Sequence, residues 1–354
     1  MKLINELTHS LMNHLKWHKS RITCAAQILQ SLIINRTVGL PHLATGFKNK
    51  ATPESNYRRI KRFFAFNFDL SSIIFIVLSL FDFPKGLELI MDRTNWKLGK
   101  ANINILFISI TYLGIGIPIL WFTMDKGGNS NADERIGLLK KVISKIGKDR
   151  IKSFVADREF IGKKWLNFLY QQKIPFVIRV RNDAKLGGFL PANLLYRKLK
   201  NGKKLVANEK IMLWGLMLYI SASRSLDGEL MLLVSNYKFE NPQAIYKKRW
   251  EIEVMFQCLK GRGFNLEATH ITDPHKIDRL IFMLGIAFCW MYKIGEIKNC
   301  LKPIEIKKHG RKAKSLFRYG FDEIRRMLND LRRYCKCLYK LISVLCNCRR
   351  ERYE

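Results

Sequence analysis

The spacing of apolar residues changes character along the chain. Residues 1 to about 70 follow a helical period, with an amphipathic pattern over Leu11–Ile34. From about residue 85, short apolar runs replace it. Leu87–Met91 (LELIM) is predicted as a strand ending at Asp92, followed by strands over Ile103–Tyr112 and Ile117–Phe122. A helix is predicted from about Asp133 to Ile146, with Ser130 and Asn131 as capping candidates. Ile151–Ala156 then reads as a strand ending in Asp157, Ile161–Gln172 as a helix and Phe176–Arg181 as a fifth strand.

Three strands, helix, strand, helix, strand is the order of an α/β, ribonuclease-H-like catalytic core. Acids at the carboxyl ends of its first and fourth strands meet at one sheet edge, where Asp92 and Asp157 can share a metal. Residues 183–240 interrupt this core with further strands, including Lys210–Ala222 and Leu230–Ser235, separated by Leu226-Asp227-Gly228. Ile245–Lys260 lacks Gly and Pro and is predicted as one helix, bounded by Asn241-Pro242 and Gly261. Ile277–Ile294 is strongly apolar and is expected to complete the core. A basic loop, His309–Ser315, precedes an amphipathic helix from Phe321. The expected organisation is a helical basic region at 1–80, a core at 85–182 and 241–300, a β insertion at 183–240 and a basic helical region at 301–354.

Lys and Arg number 63 against 29 Asp and Glu, a net charge of +34 spread through all 354 residues. Phosphate neutralisation and counterion release make nucleic acid the natural partner of such a field. An anionic membrane is the rival. Ala101–Met124 is a 24-residue stretch without a charge, but its β-branched residues, Gly114, Gly116 and Pro118 suit two buried strands and a turn better than a span. No membrane association and no secretory signal are expected, and a cytoplasmic, nucleoid-associated location in a bacterium is. The eight cysteines fit a reducing compartment. Cys335, Cys337, Cys346 and Cys348 are spaced i, i+2 on a predicted helix, which points paired thiols apart and argues against zinc.

On the helix over 245–260, Ile245, Ile252, Phe256 and Leu259 form an apolar stripe. Tyr246, Arg249, Glu253 and Lys260 fall beside it within an arc of roughly 60°. A carboxylate among cations suits a metal-dependent phosphodiester site. An intrahelical Arg249–Glu253 ion pair on a solvated face is the competing reading. Near the N-terminus, Ser55–Phe64 mixes Arg58, Arg59, Lys61 and Arg62 with anchoring Ile60, Phe63 and Phe64, a pattern suited to phosphate contact or to an ordinary solvated face.

Tyr246, two residues, Arg249, three residues, Glu253, six residues, Lys260 resembles the Y-R-E-K signature of DDE transposases of the insertion sequence four family, which are bacterial cut-and-paste enzymes. Met91–Trp96 (MDRTNW) resembles their first acidic motif and Val155–Phe160 (VADREF) their second. The Lys126–Asn131 passage and the basic His309–Ser315 loop also resemble family features, so the likeness runs from about residue 50 to 320.

The resemblance implies a triad of Asp92, Asp157 and Glu253 binding two Mg²⁺ ions about 3.5–4 Å apart, with Mn²⁺ able to substitute. It implies DNA contacts from Tyr246, Arg249 and Lys260, double-stranded DNA as partner (transposon ends and target), and a homodimer on that DNA. An aromatic residue of the β insertion holds a flipped base in related enzymes. Trp214 is the candidate here, with burial in the insertion core as its other reading. Arg93 and Arg158 are expected at phosphates, and Glu159 at the start of the following helix. His309 is read as a DNA contact or bystander, not a base. The alternatives are a catalytically idle DNA-binding copy acting as a repressor, or a ribonuclease-H-like nuclease.

Overall fold

A computed structural model describes residues 2–188 and 190–346. The chain opens with helices α1 (Lys2–Met12), α2 (Lys19–Asn35), α3 (Leu40–Thr45), α4 (Pro53–Ala65) and α5 (Ser72–Leu80). Strands β1 (Leu87–Leu98), β2 (Ala101–Tyr112) and β3 (Ile115–Met124) follow, then α6 (Ala132–Ile146), β4 (Ile151–Ala156), α7 (Lys163–Gln171) and β5 (Phe176–Val180). The next elements are β6 (Lys185–Leu186), β7 (Leu190–Pro191), α8 (Ala192–Leu195), β8 (Lys204–Leu213), β9 (Leu216–Arg224) and β10 (Leu230–Ser235). The chain then turns helical again, through α9 (Pro242–Lys247), α10 (Trp250–Leu259), α11 (Pro274–Leu301), α12 (Leu316–Asn329) and α13 (Leu331–Cys346). Two compact units result. One comprises Phe83–Asn95 and Asn104–Met255; the other takes the chain up to Asp82, Trp96–Ile103 and the residues from Phe256 onward.

The first unit is built on an eight-stranded sheet of order β3-β2-β1-β4-β5-β10-β9-β8. Its first five strands have the ribonuclease-H-like arrangement. β2 and β3 are antiparallel, whereas β1, β4 and β5 run parallel. The predicted insertion strands do not stand apart, because β10 pairs antiparallel with β5 and carries β9 and β8 outward on the same sheet. Asn131 caps α6 in a reciprocal box with Glu134, as the Ser130-Asn131 pair suggested. Trp165 of α7 packs edge-on to Phe154 of β4, with ring centroids 5.6 Å apart.

Three predicted elements of this unit change. The strand over Leu87–Met91 continues to Leu98, so Asp92 lies inside β1 and not at its end. Lys210–Ala222 is a hairpin. Trp214 and Gly215 both adopt positive φ (52° and 82°), the two-residue turn whose twist suits adjoining strands. The helix over 245–260 divides at Lys248-Arg249. There the backbone tightens to i→i−3 bonds, Lys248 N–H to Ile245 O and Arg249 N–H to Tyr246 O, which apolar periodicity does not register. The uncharged stretch Ala101–Met124 forms the β2–β3 hairpin.

The second unit is helical, and α11 is its centre. This 28-residue helix is long and apolar enough to cross a membrane by composition, yet 83% of its most apolar window is buried inside the protein. It packs against α2, α5 and α12. The α11–α12 contact is backbone-close, because a Cβ on Gly295 would lie 1.8 Å from Leu316 O and one on Gly320 1.9 Å from Met291 O. The predicted Leu11–Ile34 helix is interrupted between α1 and α2, and the one from Phe321 is two helices parted at Asp330. Cys335 and Cys337 lie on α13, and no metal-holding group of three or more ligands forms among the described residues. The Cys346 side chain and Cys348 lie outside the described residues.

Gly295→Ala is expected to cost about 1–3 kcal/mol through overpacking, read as a lower melting temperature. Gly137→Ala on α6, where a Cβ meets nothing within 4 Å, should leave stability unchanged or raise it by up to about 1 kcal/mol. A Gly295→Ala protein that melts like wild type would show that the two helices are not held at backbone contact.

Candidate active site

The parallel β1–β4 ladder ends at Met91↔Ala156, so the next residues on each strand, Asp92 and Asp157, stand side by side. Neighbouring strands run about 4.8 Å apart. Each carboxylate accepts the N–H of its own successor at 2.7 Å, Arg93 for Asp92 and Arg158 for Asp157. Glu253 comes from the first turn of α10. A close approach sets that turn against the sheet, since a Cβ on Gly116 of β3 would lie 3.0 Å from the Cα of Ile252.

Arg249, in the turn between α9 and α10, joins two of the acids. Its Nη1 lies 3.0 Å from Asp92 Oδ2 and 2.8 Å from Glu253 Oε1. The guanidinium is only 8% exposed, and its Nε has no hydrogen-bond partner. Burial works against its charge, but Asp92, Asp157 and Glu253 hold its pKa above the usual arginine value. Burial pushes the Asp92 carboxyl up to about 7, with Glu159 and Asp157 adding to the rise and the Arg93 N–H and Arg249 opposing it. Tyr246 donates from its hydroxyl to Asp157 Oδ1 at 2.8 Å. Its ring packs among Val155, Val177 and Leu233, and both burial and Asp157 raise the phenol pKa. So Asp92, Asp157, Glu253, Tyr246 and Arg249 converge, and the Arg249–Glu253 ion pair forms within the cluster.

A second layer steadies Asp92 and Asp157. Arg93 pairs in two-pronged fashion with Glu159, Nε to Oε1 at 3.1 Å and Nη2 to Oε2 at 3.0 Å. It also donates to Asn104 Oδ1 and Asn129 Oδ1, and Asn104 fastens the loop after β3 by donating to the Lys126 and Gly128 carbonyls. Arg93 is therefore occupied inside the site instead of facing outward, and Glu159 is its partner. The sequence signal for this role was Asn104, an asparagine at the start of a long uncharged stretch.

The other predicted residues sit as follows. Arg158 is exposed, with no side-chain partner among the described residues. Lys260, just past α10, pairs with Glu267 at 2.8 Å and stands over the Trp96 ring. Arg58 and Arg62 share an exposed face of α4 with Lys61, lining a cavity of about 710 Å³. Arg59 instead turns back and donates to the Ser20 carbonyl at 3.1 Å. Trp214 is half-buried at the β8–β9 turn, where it lines a cavity of about 580 Å³ with Arg181, Asp183 and Lys185.

The profile of the transposase DDE domain matches residues 84–290, well over half of the chain. The chain belongs to the transposase DDE-domain family. Among solved structures, the fold is similar to that of the piggyBac transposase in its synaptic complex with hairpin DNA, with a TM-score of 0.50 and 12% identity over 99% of this chain and 80% of that one. Among curated proteins none matches at a significant level. The protein is thus a transposase-type enzyme with a ribonuclease-H-like DDE fold.

DDE transposases generally use divalent metal ions, and the donor set here fits one. Asp92, Asp157 and Glu253 offer only carboxylate oxygens, the donors hard divalent cations prefer. Burial, ahead of the charges of Glu159 and Asp157, is what raises the Asp92 pKa, and a cation beside a buried carboxylate offsets that cost. In the arrangement observed, Arg249 supplies that cation, and no three ligating groups are poised for an ion among the described residues.

Replacing Arg249 by Met should therefore lower the melting temperature in chelator, because Asp92 and Glu253 lose their cation. Added Mn²⁺ should raise the melting temperature of the variant more than that of wild type. Equal metal-induced shifts in the two proteins would rule out competition between Arg249 and metal.

Proposed function

We propose that this protein is a cut-and-paste DNA transposase that cleaves at the terminal inverted repeats of its own element and joins the freed ends to target DNA. One observation carries the reading. Asp92, Asp157 and Glu253, from two parallel strands and the start of a helix, gather around Arg249 and Tyr246 at one end of the sheet. The spacing of Tyr246, Arg249, Glu253 and Lys260 supports membership of the insertion sequence four group with its Y-R-E-K signature.

In this reading Asp92, Asp157 and Glu253 hold divalent ions, Mg²⁺ or Mn²⁺, which when bound supply Lewis acidity at the scissile phosphate and a more acidic attacking hydroxyl. Water attacks phosphorus and the 3′ oxygen leaves; the 3′-hydroxyl so formed then attacks a target phosphodiester, and the bond count is unchanged. No protein nucleophile is required. Tyr246 and Arg249 hold the carboxylates oriented in the free protein, and they meet backbone phosphates of the transposon end when DNA is bound. Lys260, Arg158, Arg58 and Arg62 add phosphate contacts, to which counterion release contributes. Trp214, beside Arg181 and Lys185, is the stacking platform for an extruded base. The enzyme works as a homodimer that pairs two ends, in a bacterial cytoplasm at the nucleoid.

The test is cleavage of a supercoiled plasmid carrying the gene with its flanking DNA. Wild type should cut at paired inverted repeats in Mg²⁺ and not in chelator. Glu253→Gln, Asp92→Asn and Asp157→Asn should each lose at least about 10³-fold in rate while retaining DNA affinity. Cutting by Glu253→Gln would remove it from the site. Binding without cutting by wild type would make this a DNA-binding repressor, and scattered cutting a plain nuclease.

A further inference from the structure

Between α11 and α12 the chain forms a small β ribbon over residues 305–313. Ile306 and Lys312 are bridged antiparallel, Lys307 N–H donates to Arg311 O at 2.9 Å, and Ala313 N–H donates to Glu305 O at 2.8 Å. Gly310, at φ 76°, makes the turn, closed by its N–H to Lys307 O at 2.8 Å. Both feet are tied down. Ile304 is buried and its N–H donates to Asn299 Oδ1 at 3.1 Å, while Lys314 pairs with Asp322 at 2.9 Å.

The charge on this ribbon has no internal use. Lys307, Lys308, Arg311 and Lys312 are all exposed, and none has an acidic partner among the described residues. The register sets Lys307 directly opposite Arg311, an arrangement that destabilises a two-stranded ribbon. Lys312 projects from the other face and Lys308 sits at the turn. Cations on both faces and at the tip, held in an ordered backbone, are preorganised for a polyanion. The ribbon carries no Phe, Tyr or Trp on which a single strand would stack, and its one exposed large apolar side chain, Ile306, is too little for a membrane surface. A two-stranded ribbon is also a shape the major groove of duplex DNA admits.

We propose that the ribbon of residues 305–313 is a duplex-gripping finger that enters a DNA groove and places Lys307, Lys308, Arg311 and Lys312 against phosphates. It rests on the reading that the substrate is DNA and adds a contact surface outside the Y-R-E-K residues. Its information is positional, since these are phosphate contacts and not base readout.

The experiment uses the full chain, wild type against a variant with all four cations changed to Ala, binding a labelled duplex of the element end and a scrambled duplex over a series of KCl concentrations. Each phosphate contact contributes about 0.9 to the slope of log K against log salt. The variant should bind both duplexes about tenfold or more weakly at 0.15 M salt, and its slope should be shallower by about 3 to 4. A variant with Lys and Arg exchanged at the four positions should keep the wild-type slope. Unchanged slope and affinity in the Ala variant, at a wild-type melting temperature, would overturn the finger. So would a loss confined to anionic phosphatidylserine vesicles or to single strands. Failure of wild type to bind either duplex would overturn the DNA reading itself, a result distinct from all of these.

Discussion

The cost of burying a carboxylate beside other carboxylates governs this molecule's catalytic unit. The parallel ladder of β1 and β4 delivers Asp92 and Asp157 to adjacent positions, and the first turn of α10 adds Glu253. Burial is what pushes the Asp92 carboxyl up to about 7, with the charges of Glu159 and Asp157 adding to it. A buried set of acids is tolerable only beside a cation. In the free chain that cation is Arg249, within 3.0 Å of Asp92 and 2.8 Å of Glu253.

The surrounding structure follows from holding that cluster in register. The chain breaks its helix at Lys248-Arg249, and the guanidinium lies between two carboxylates. Tyr246 anchors Asp157 through its hydroxyl and the sheet through its ring. Arg93 and Glu159 join the segments that follow Asp92 and Asp157, with Asn104 and Asn129 completing the frame. Gly116 has no Cβ at the point where β3 meets the backbone of α10. A charge cluster needs such rigid support, because an acid displaced by an ångström no longer shares a cation.

The helical unit handles its charge differently. Its interior is α11, buried along most of its length, and several of its cations stand exposed without an acidic partner among the described residues. Arg58, Lys61 and Arg62 share one exposed face of α4, and the ribbon at 305–313 carries four more. The helical unit is therefore apolar inside and cationic outside.

Much of this was legible along the chain. Strand order came from apolar runs of four to ten residues, and the two strand-linked acids from their position after such runs, because period and burial are local properties of sequence. The Tyr246, Arg249, Glu253 spacing was local too. What the sequence could not supply was partnership. Leu87–Met91 ends its apolar run at Asp92, yet pairing carries β1 on to Leu98 through polar residues. Arg93, expected at a phosphate, meets Glu159, 66 residues away, in the free chain. Arg59 belongs to the same cationic run as Arg58 and Arg62, but the packing of α2 turned it inward to Ser20. A single hydrophobic period also hid the turn at Lys248-Arg249, since apolar spacing is blind to a change from i−4 to i−3 hydrogen bonds. Residue type and spacing determined which chemistry the chain carries. Only tertiary structure decided which charge faces which, because electrostatic partners are fixed by distance in space and not by distance along the chain.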